Sequence, residues 1–238
     1  MKIEKQNLAR KLLKDYDVNK DGEIDAKEAS LFKKDCDKLF ECAYGKDCRQ
    51  YKNLAKRLKQ TTIEFKEMDR LGRTYPAQND FKHHKYKIFL SPKENSEKLE
   101  DCKINLTDMA GIVVHEEEHI QQSQKVYDTV RKVMHKSKSD AKVAAGAALK
   151  GDSEVFAEIE RMNFYKKLET FSFADKSEAY KAYLKSFDKV GIDPNKDKKA
   201  FLEKFDFKTF TETIKKDYKK LDFDDKTDKY GFKNLLFE

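Results

Sequence analysis

Apolar positions along most of the chain recur every three or four residues. Residues 3–16 place Ile3, Leu8, Leu12 and Leu13 among charged neighbours, which predicts one amphipathic helix there. A polar, glycine-containing loop follows at 17–28, then a second helix to about Leu39, and residues 50–70 read as helical again. Residues 71–85 (LGRTYPAQNDFKHHK) lose the period, with one Gly and one Pro as punctuation. In YKIFLSP, 86–92, the period changes: Tyr86, Ile88 and Leu90 alternate with Lys87, Phe89 and Ser91, and Pro92 ends the run. That alternation predicts a strand. Helical spacing returns at 107–130, 139–149 and 152–170, the last with Asp152 or Ser153 as N-cap. Residues 175–238 alternate helical segments with turns such as GIDPN at 191–195. No internal repeat is present. The expected fold class is helix-rich α+β.

Composition narrows the function classes. A chain of 238 residues can bury a real core, and 17 Phe with 11 Tyr argue against wholesale disorder. Eight Gly and three Pro are few, which favours helices joined by short polar turns. The net charge of +7 comes from 51 Lys and Arg set among 44 Asp and Glu. Mostly lysine and of mixed sign, this is a solvated surface rather than a nucleic-acid groove, with room for weak attraction to anionic surfaces. No segment approaches the ~20 apolar residues of a membrane span.

The N-terminus, MKIEKQNLARKLLKDY, lacks the apolar core of a signal peptide. The protein is therefore cytoplasmic, or extracytoplasmic with a signal already removed. Cys36, Cys42, Cys48 and Cys102 could form two disulfides in three pairings, or stand as four unrelated thiols. No Cys-x-x-Cys pair exists, so a four-cysteine zinc site fits poorly.

The loop DVNKDGEIDAKE, 17–28, has oxygen-bearing residues at fixed steps. Wrapping one calcium ion in twelve residues needs six or seven oxygens and one sharp turn. Asp17, Asn19 and Asp21 fill the first, third and fifth positions, and Gly22 sits at the turn. Glu23 would offer its backbone carbonyl, Asp25 would bind directly or through water, and Glu28 would close the site with two oxygens. Ile24 stands where an apolar anchor belongs. The stretch 4–38 resembles an EF-hand, and also the calcium loops of dockerin modules, which come in pairs. A second copy is not found: DPNKDKKAFLEK at 193–204 has Asp193, Asn195 and Asp197, but Lys198 replaces glycine and Lys204 the closing glutamate. It reads as a turn and helix cap. A lone loop points to structural calcium rather than signalling.

The helix at 107–130 contains GIVVHEEEHIQQ. His115 and His119 lie one turn apart, so both imidazoles can face one zinc ion. Glu116 beside them can take a proton from water and pass it to a leaving amine. Ile112, Val113 and Ile120 anchor the helix. Glu117 and Glu118 read as solvated or as supporting residues. Zinc needs a third protein ligand. A histidine six residues past the motif is excluded, because Gln122 and Lys125 occupy the positions it and its glycine would need.

SEVFAEIER, 153–161, offers a glutamate instead. HExxH followed by this segment resembles the gluzincin metallopeptidases, with Glu-x-x-Ala-Glu where the family has Glu-x-x-Ala-Asp. The resemblance covers about 86–165. It implies Glu154 as zinc ligand, Ala157 as a small residue for close helix packing, and Glu158 orienting a ligand imidazole. Glu158 as the ligand itself is the fallback. The stretch between His119 and Glu154 would form a helical excursion. The resemblance also implies that 86–91 is an edge strand that pairs with extended peptide.

Among weaker candidates, His83, His84 and His135 read as exposed. Tyr165, Tyr180 and Tyr183 are candidates for stabilising transition-state charge. The expected organisation is a calcium-binding unit at 1–50 and a zincin-like metallopeptidase domain at 51–238, monomeric, acting on a peptide or protein substrate and not on nucleic acid. The expected location is secreted or periplasmic. The competing reading is a non-enzymatic calcium-binding or interaction protein whose HEEEH is incidental or a structural metal site.

Overall fold

A computed structural model describes residues 2–92, 98–147, 151–168 and 177–216. The described residues form two compact units: residues 2–117 with Lys167 and Leu168, and residues 118–166 with 177–216. The fold is helix-rich α+β with one three-stranded sheet, as expected. No helix among the described residues is long and apolar enough to cross a membrane.

The first unit begins with α1 (Lys2–Arg10), which stops short of the expected helix end at 16. Beyond it the backbone directs its hydrogen bonds to a distant segment. The Leu106 amide donates to the Lys11 carbonyl (2.7 Å) and the Leu13 amide to that of Ile104 (2.9 Å). A short 3-10 turn, Leu13–Tyr16, then leads into the polar loop. The next helix, α2 (Ala26–Tyr44), starts with a capping box: Asp25 accepts the Lys27 and Glu28 amides, and the Glu28 carboxylate accepts the Asp25 amide (3.0 Å). One face of α2 buries Phe32, Cys36, Leu39 and Phe40.

Residues 50–70 are not one helix. The third helix, α3 (Arg49–Gln60), gives way to β1 (Thr61–Phe65), because three successive β-branched residues and a Phe favour a half-buried strand over continued helix. A second strand missed by periodicity, β2 (Gly72–Thr74), lies in the stretch expected to be irregular. The predicted strand is β3 (Tyr86–Leu90), and the order is β1-β3-β2. Thr61 to Phe65 run parallel to Tyr86 to Leu90, while Gly72, Arg73 and Thr74 lie antiparallel opposite Leu90, Phe89 and Ile88. β3 is therefore the central strand, not an edge. Both its sides already carry a partner strand, so it cannot take up a peptide as an edge strand would.

Phe32 of α2 packs edge-on against Phe65 of β1, ring centroids 5.2 Å apart, so the loop's exit helix shares a core with the sheet. The four cysteines are thiols, with Cys36 and Cys102 buried. Burial pushes the Cys36 thiol well up, and Cys102 Sγ donates to the Pro92 carbonyl (3.0 Å).

A continuous helix, α4 (Leu106–Lys132), carries the motif, and the boundary between the units falls inside it, between Glu117 and Glu118. The second unit adds α5 (Lys138–Ala147), α6 (Gly151–Leu168), α7 (Glu178–Val190), α8 (Lys198–Lys204) and α9 (Phe207–Ile214). The tail of α4 and α5 are the helical excursion before α6. Ser153 is buried within α6 rather than capping it, and the Asp152 side chain lies outside the described residues. Tyr183, Phe187, Phe201 and Phe205 form an aromatic cluster with centroids 5.2–6.2 Å apart. Asp197 caps α8 by accepting the Ala200 amide, so the 193–204 stretch is the expected turn and cap.

Candidate metal centre

Five consecutive polar residues of α4 are buried: His115 is 6% exposed, Glu116 6%, Glu117 0%, Glu118 8% and His119 4%. A solvated stretch of helix would expose some of them on every turn. Of the two readings of Glu117 and Glu118, solvated or supporting, their burial excludes the solvated one. Ile112, Val113 and Ile120 are buried around them and anchor the helix as expected. Burying this many ionisable groups is costly unless each is matched by charge, hydrogen bond or metal.

His119 is matched from α6. His119 Nε2 and Glu154 Oε2 lie 3.3 Å apart. Ligand atoms of His115, His119 and Glu154 fall within 4.8 Å of one another. His115 keeps its place beside His119 because one unbroken helix carries both. Zinc bonds of roughly 2.0–2.2 Å at tetrahedral angles put neighbouring ligand atoms about 3.4 Å apart. The edge between His119 and Glu154 already has nearly that length. Two imidazoles and one carboxylate are also a donor set that leaves a fourth position for water or substrate. The residues present could therefore hold a metal ion.

Glu158, the fallback ligand, is not in this group. Its Oε1 accepts from Arg161 Nη1 (3.1 Å), and Arg161 also reaches the Tyr165 hydroxyl (3.2 Å). Tyr180 and Tyr183 are buried, and the Tyr183 hydroxyl donates to Asn163 (3.3 Å) within the aromatic cluster. His83, His84 and His135 are exposed, as expected.

Glu116 faces the sheet. A Cβ built on Gly72 of β2 would stand 2.3 Å from Ile112 Cγ2 and 3.3 Å from Glu116 Oε1. Only glycine lets this strand approach the motif helix so closely. Periodicity gave no hint of it, although a lone Gly among strand-forming residues is a known sign of close backbone approach. Glu117 turns toward α3 and β1. Its Oε1 accepts the Thr61 hydroxyl (2.7 Å), and Oε2 lies 3.4 Å from Arg57 Nε. Burial raises the Glu117 carboxyl, against the lowering effect of Arg57 and Thr61. Lys33 of α2 donates to the Thr61 carbonyl (2.6 Å), extending the network to the helix that leaves the loop at 17–28. Glu118 is held on the other side, where Lys198 lies 3.6 Å from it and 2.8 Å from Glu160 of α6. Lys198 thus ties α4 to α6, the two helices that bring His119 and Glu154 together. No sequence signal marked Arg57, Thr61 or Lys198.

The loop at 17–28 has tight-turn geometry but a different arrangement of carboxylates. Gly22 takes φ of 86°, and Asp17 accepts the amides of Asp21 (3.1 Å) and Gly22 (2.9 Å). Asn19 Oδ1 also accepts the Asp21 amide, and Asp21 accepts that of Glu23 (3.0 Å each). Glu28 accepts the amides of Val18, Asn19 and Asp25. Among the described residues, the loop's acidic side chains do not converge as His115, His119 and Glu154 do. Tyr16, just before the loop, donates to Asp35 of α2 (3.0 Å), bracing entry against exit.

No protein-family model, curated protein or solved structure matches this chain.

Proposed function

We propose that this protein is a zinc-dependent metallopeptidase, a hydrolase of gluzincin type. The approach of His119 Nε2 to Glu154 Oε2, with His115 one turn earlier, carries the reading. Zinc held there would supply Lewis-acid polarisation of an amide carbonyl and acidify a water molecule. Glu116 takes the proton at its carboxylate and returns it to the departing amine, a role general bases fill for about 10²–10⁴ in rate. Its burial, beside Gly72, keeps bulk water from competing for that proton. β2 replaces β3 as the strand that pairs with extended peptide, since it lies against Glu116 at Gly72 and has one side unpaired in the sheet. Calcium binding at 17–28, through Asp17, Asn19, Asp21, Glu23, Asp25 and Glu28, belongs to the same proposal as a stabiliser of the segment leading into α2.

Hydrolysis of a quenched-peptide library by zinc-loaded protein tests the reading. Glu116→Gln is expected to keep the metal and lose at least about 10²-fold in kcat. Equal hydrolysis by Glu116→Gln and wild type would remove the proposal. Calcium bound without stoichiometric zinc would favour the binding-protein alternative.

A further inference from the structure

We infer that the turn joining α4 to α5 docks the protein onto anionic membrane surfaces. Every residue from 131 to 140 is exposed. Val133 is 71% and Met134 38% exposed at the apex, and Val143 is 70% exposed on α5, away from the buried Ala141, Ala144 and Ala145. Single exposed apolar residues are ordinary on protein surfaces. Two adjacent ones, set among cations on a well-formed turn, are not.

The turn is built rather than loose. The Val133 and Met134 amides both donate to the Thr129 carbonyl (2.8 and 3.2 Å), and the Lys136 amide donates to Val130 (3.1 Å). The Arg131 guanidinium donates to the Lys136 carbonyl, and His135 reverses the chain in a left-handed conformation (φ 52°). These bonds hold the backbone that presents Val133 and Met134.

Charge then selects the partner. Between 131 and 143 stand Arg131, Lys132, Lys136, Lys138 and Lys142, against one carboxylate, Asp140, which already accepts from Ser137 (2.7 Å). Lys132 pairs with Asp128 (3.3 Å), while Lys136, Lys138 and Lys142 have no carboxylate partner among the described residues. An exposed apolar pair flanked in sequence by lysines matches a bilayer interface, where the pair enters the headgroup boundary and the cations meet anionic lipid. A nucleic-acid strand fits less well, because 131–143 contains no Phe, Tyr or Trp on which successive bases could stack.

Vesicle flotation with the full chain tests this. Vesicles of phosphatidylcholine mixed with phosphatidylserine are expected to bind the protein at least about 10-fold more tightly than phosphatidylcholine alone, with binding weakened in concentrated NaCl. Val133→Ser/Met134→Ser and Lys136→Glu/Lys138→Glu should each lose about 10-fold or more, with thermal unfolding unchanged because all four residues are exposed. Equal binding to neutral and anionic vesicles, or no binding to either, overturns the inference. So does full binding by the Ser variant, or heparin binding equal to vesicle binding and insensitive to it, since either marks a purely electrostatic polyanion surface. If a variant fails to fold, the wild-type lipid and salt comparison still decides.

Discussion

His119 on α4 and Glu154 on α6 meet at 3.3 Å although the whole of α5 lies between them in the chain. His119 is buried and Glu154 half-buried, and together with His115 they form a group that could hold a metal ion. Glu154→Ala is expected to weaken zinc binding by more than the about 10–100-fold typical of losing an outer supporting residue. Glu158→Ala should stay within that range. Competition with a zinc-binding dye measures both, and equal losses would argue against Glu154 as the ligand.

Gly72 has no room for a side chain. Gly72→Ala puts a methyl group 2.3 Å from Ile112 Cγ2, so the strand or the motif helix must shift. Overpacking of this kind costs about 1–3 kcal/mol. Chemical unfolding should show that loss, and hydrolysis should fall because Glu116 is the next neighbour. Unchanged stability would mean that β2 does not press on α4.

Asp35 should give the protein a measurable acid sensitivity. Burial alone would raise its carboxyl, but hydrogen bonds from Lys38, Lys11 and Tyr16 more than offset this and hold it below its ordinary range. A folded-state value below the unfolded one contributes stability at neutral pH that disappears as pH falls through the carboxylate range. Asp35→Asn should therefore cost about 1–2 kcal/mol at neutral pH, discounted for the exposure of Lys38, and almost nothing in strong acid. Urea unfolding under the two conditions checks it.

Calcium at 17–28 should appear as stabilisation. Millimolar calcium is expected to raise the unfolding temperature of the wild type, by an amount set by mass action on the folded state. Asp17→Asn should abolish the rise while leaving the metal-free protein folded, because asparagine keeps one acceptor for the Asp21 and Gly22 amides. A rise of the same size in Asp17→Asn would place the ion elsewhere.

The grouping of His115, His119 and Glu154 was legible because the chemistry of a metal site would constrain the sequence locally. Two ligands on one helix face must be four apart, and a third carboxylate on a later helix needs only a small neighbour such as Ala157. The strand at 86–90 was legible from its alternation, but its central position was not, since both partners were hidden. TTIEF follows directly on the helical run of α3, and the short β2 has too few residues to show a period. The burial of Glu117 and Glu118 was also unreadable. Their partners Thr61, Arg57 and Lys198 lie far off in the chain, and glutamate in a chain with 40% charged residues looks solvated by default.

Zinc content tests the metal centre most directly. Protein purified without chelator, loaded with zinc and desalted should retain one zinc ion per chain by elemental analysis. His115→Ala, His119→Ala and Glu154→Ala should each retain markedly less while staying folded. Wild-type protein that retains no zinc, or variants that retain as much as wild type, would contradict the assignment of these three residues.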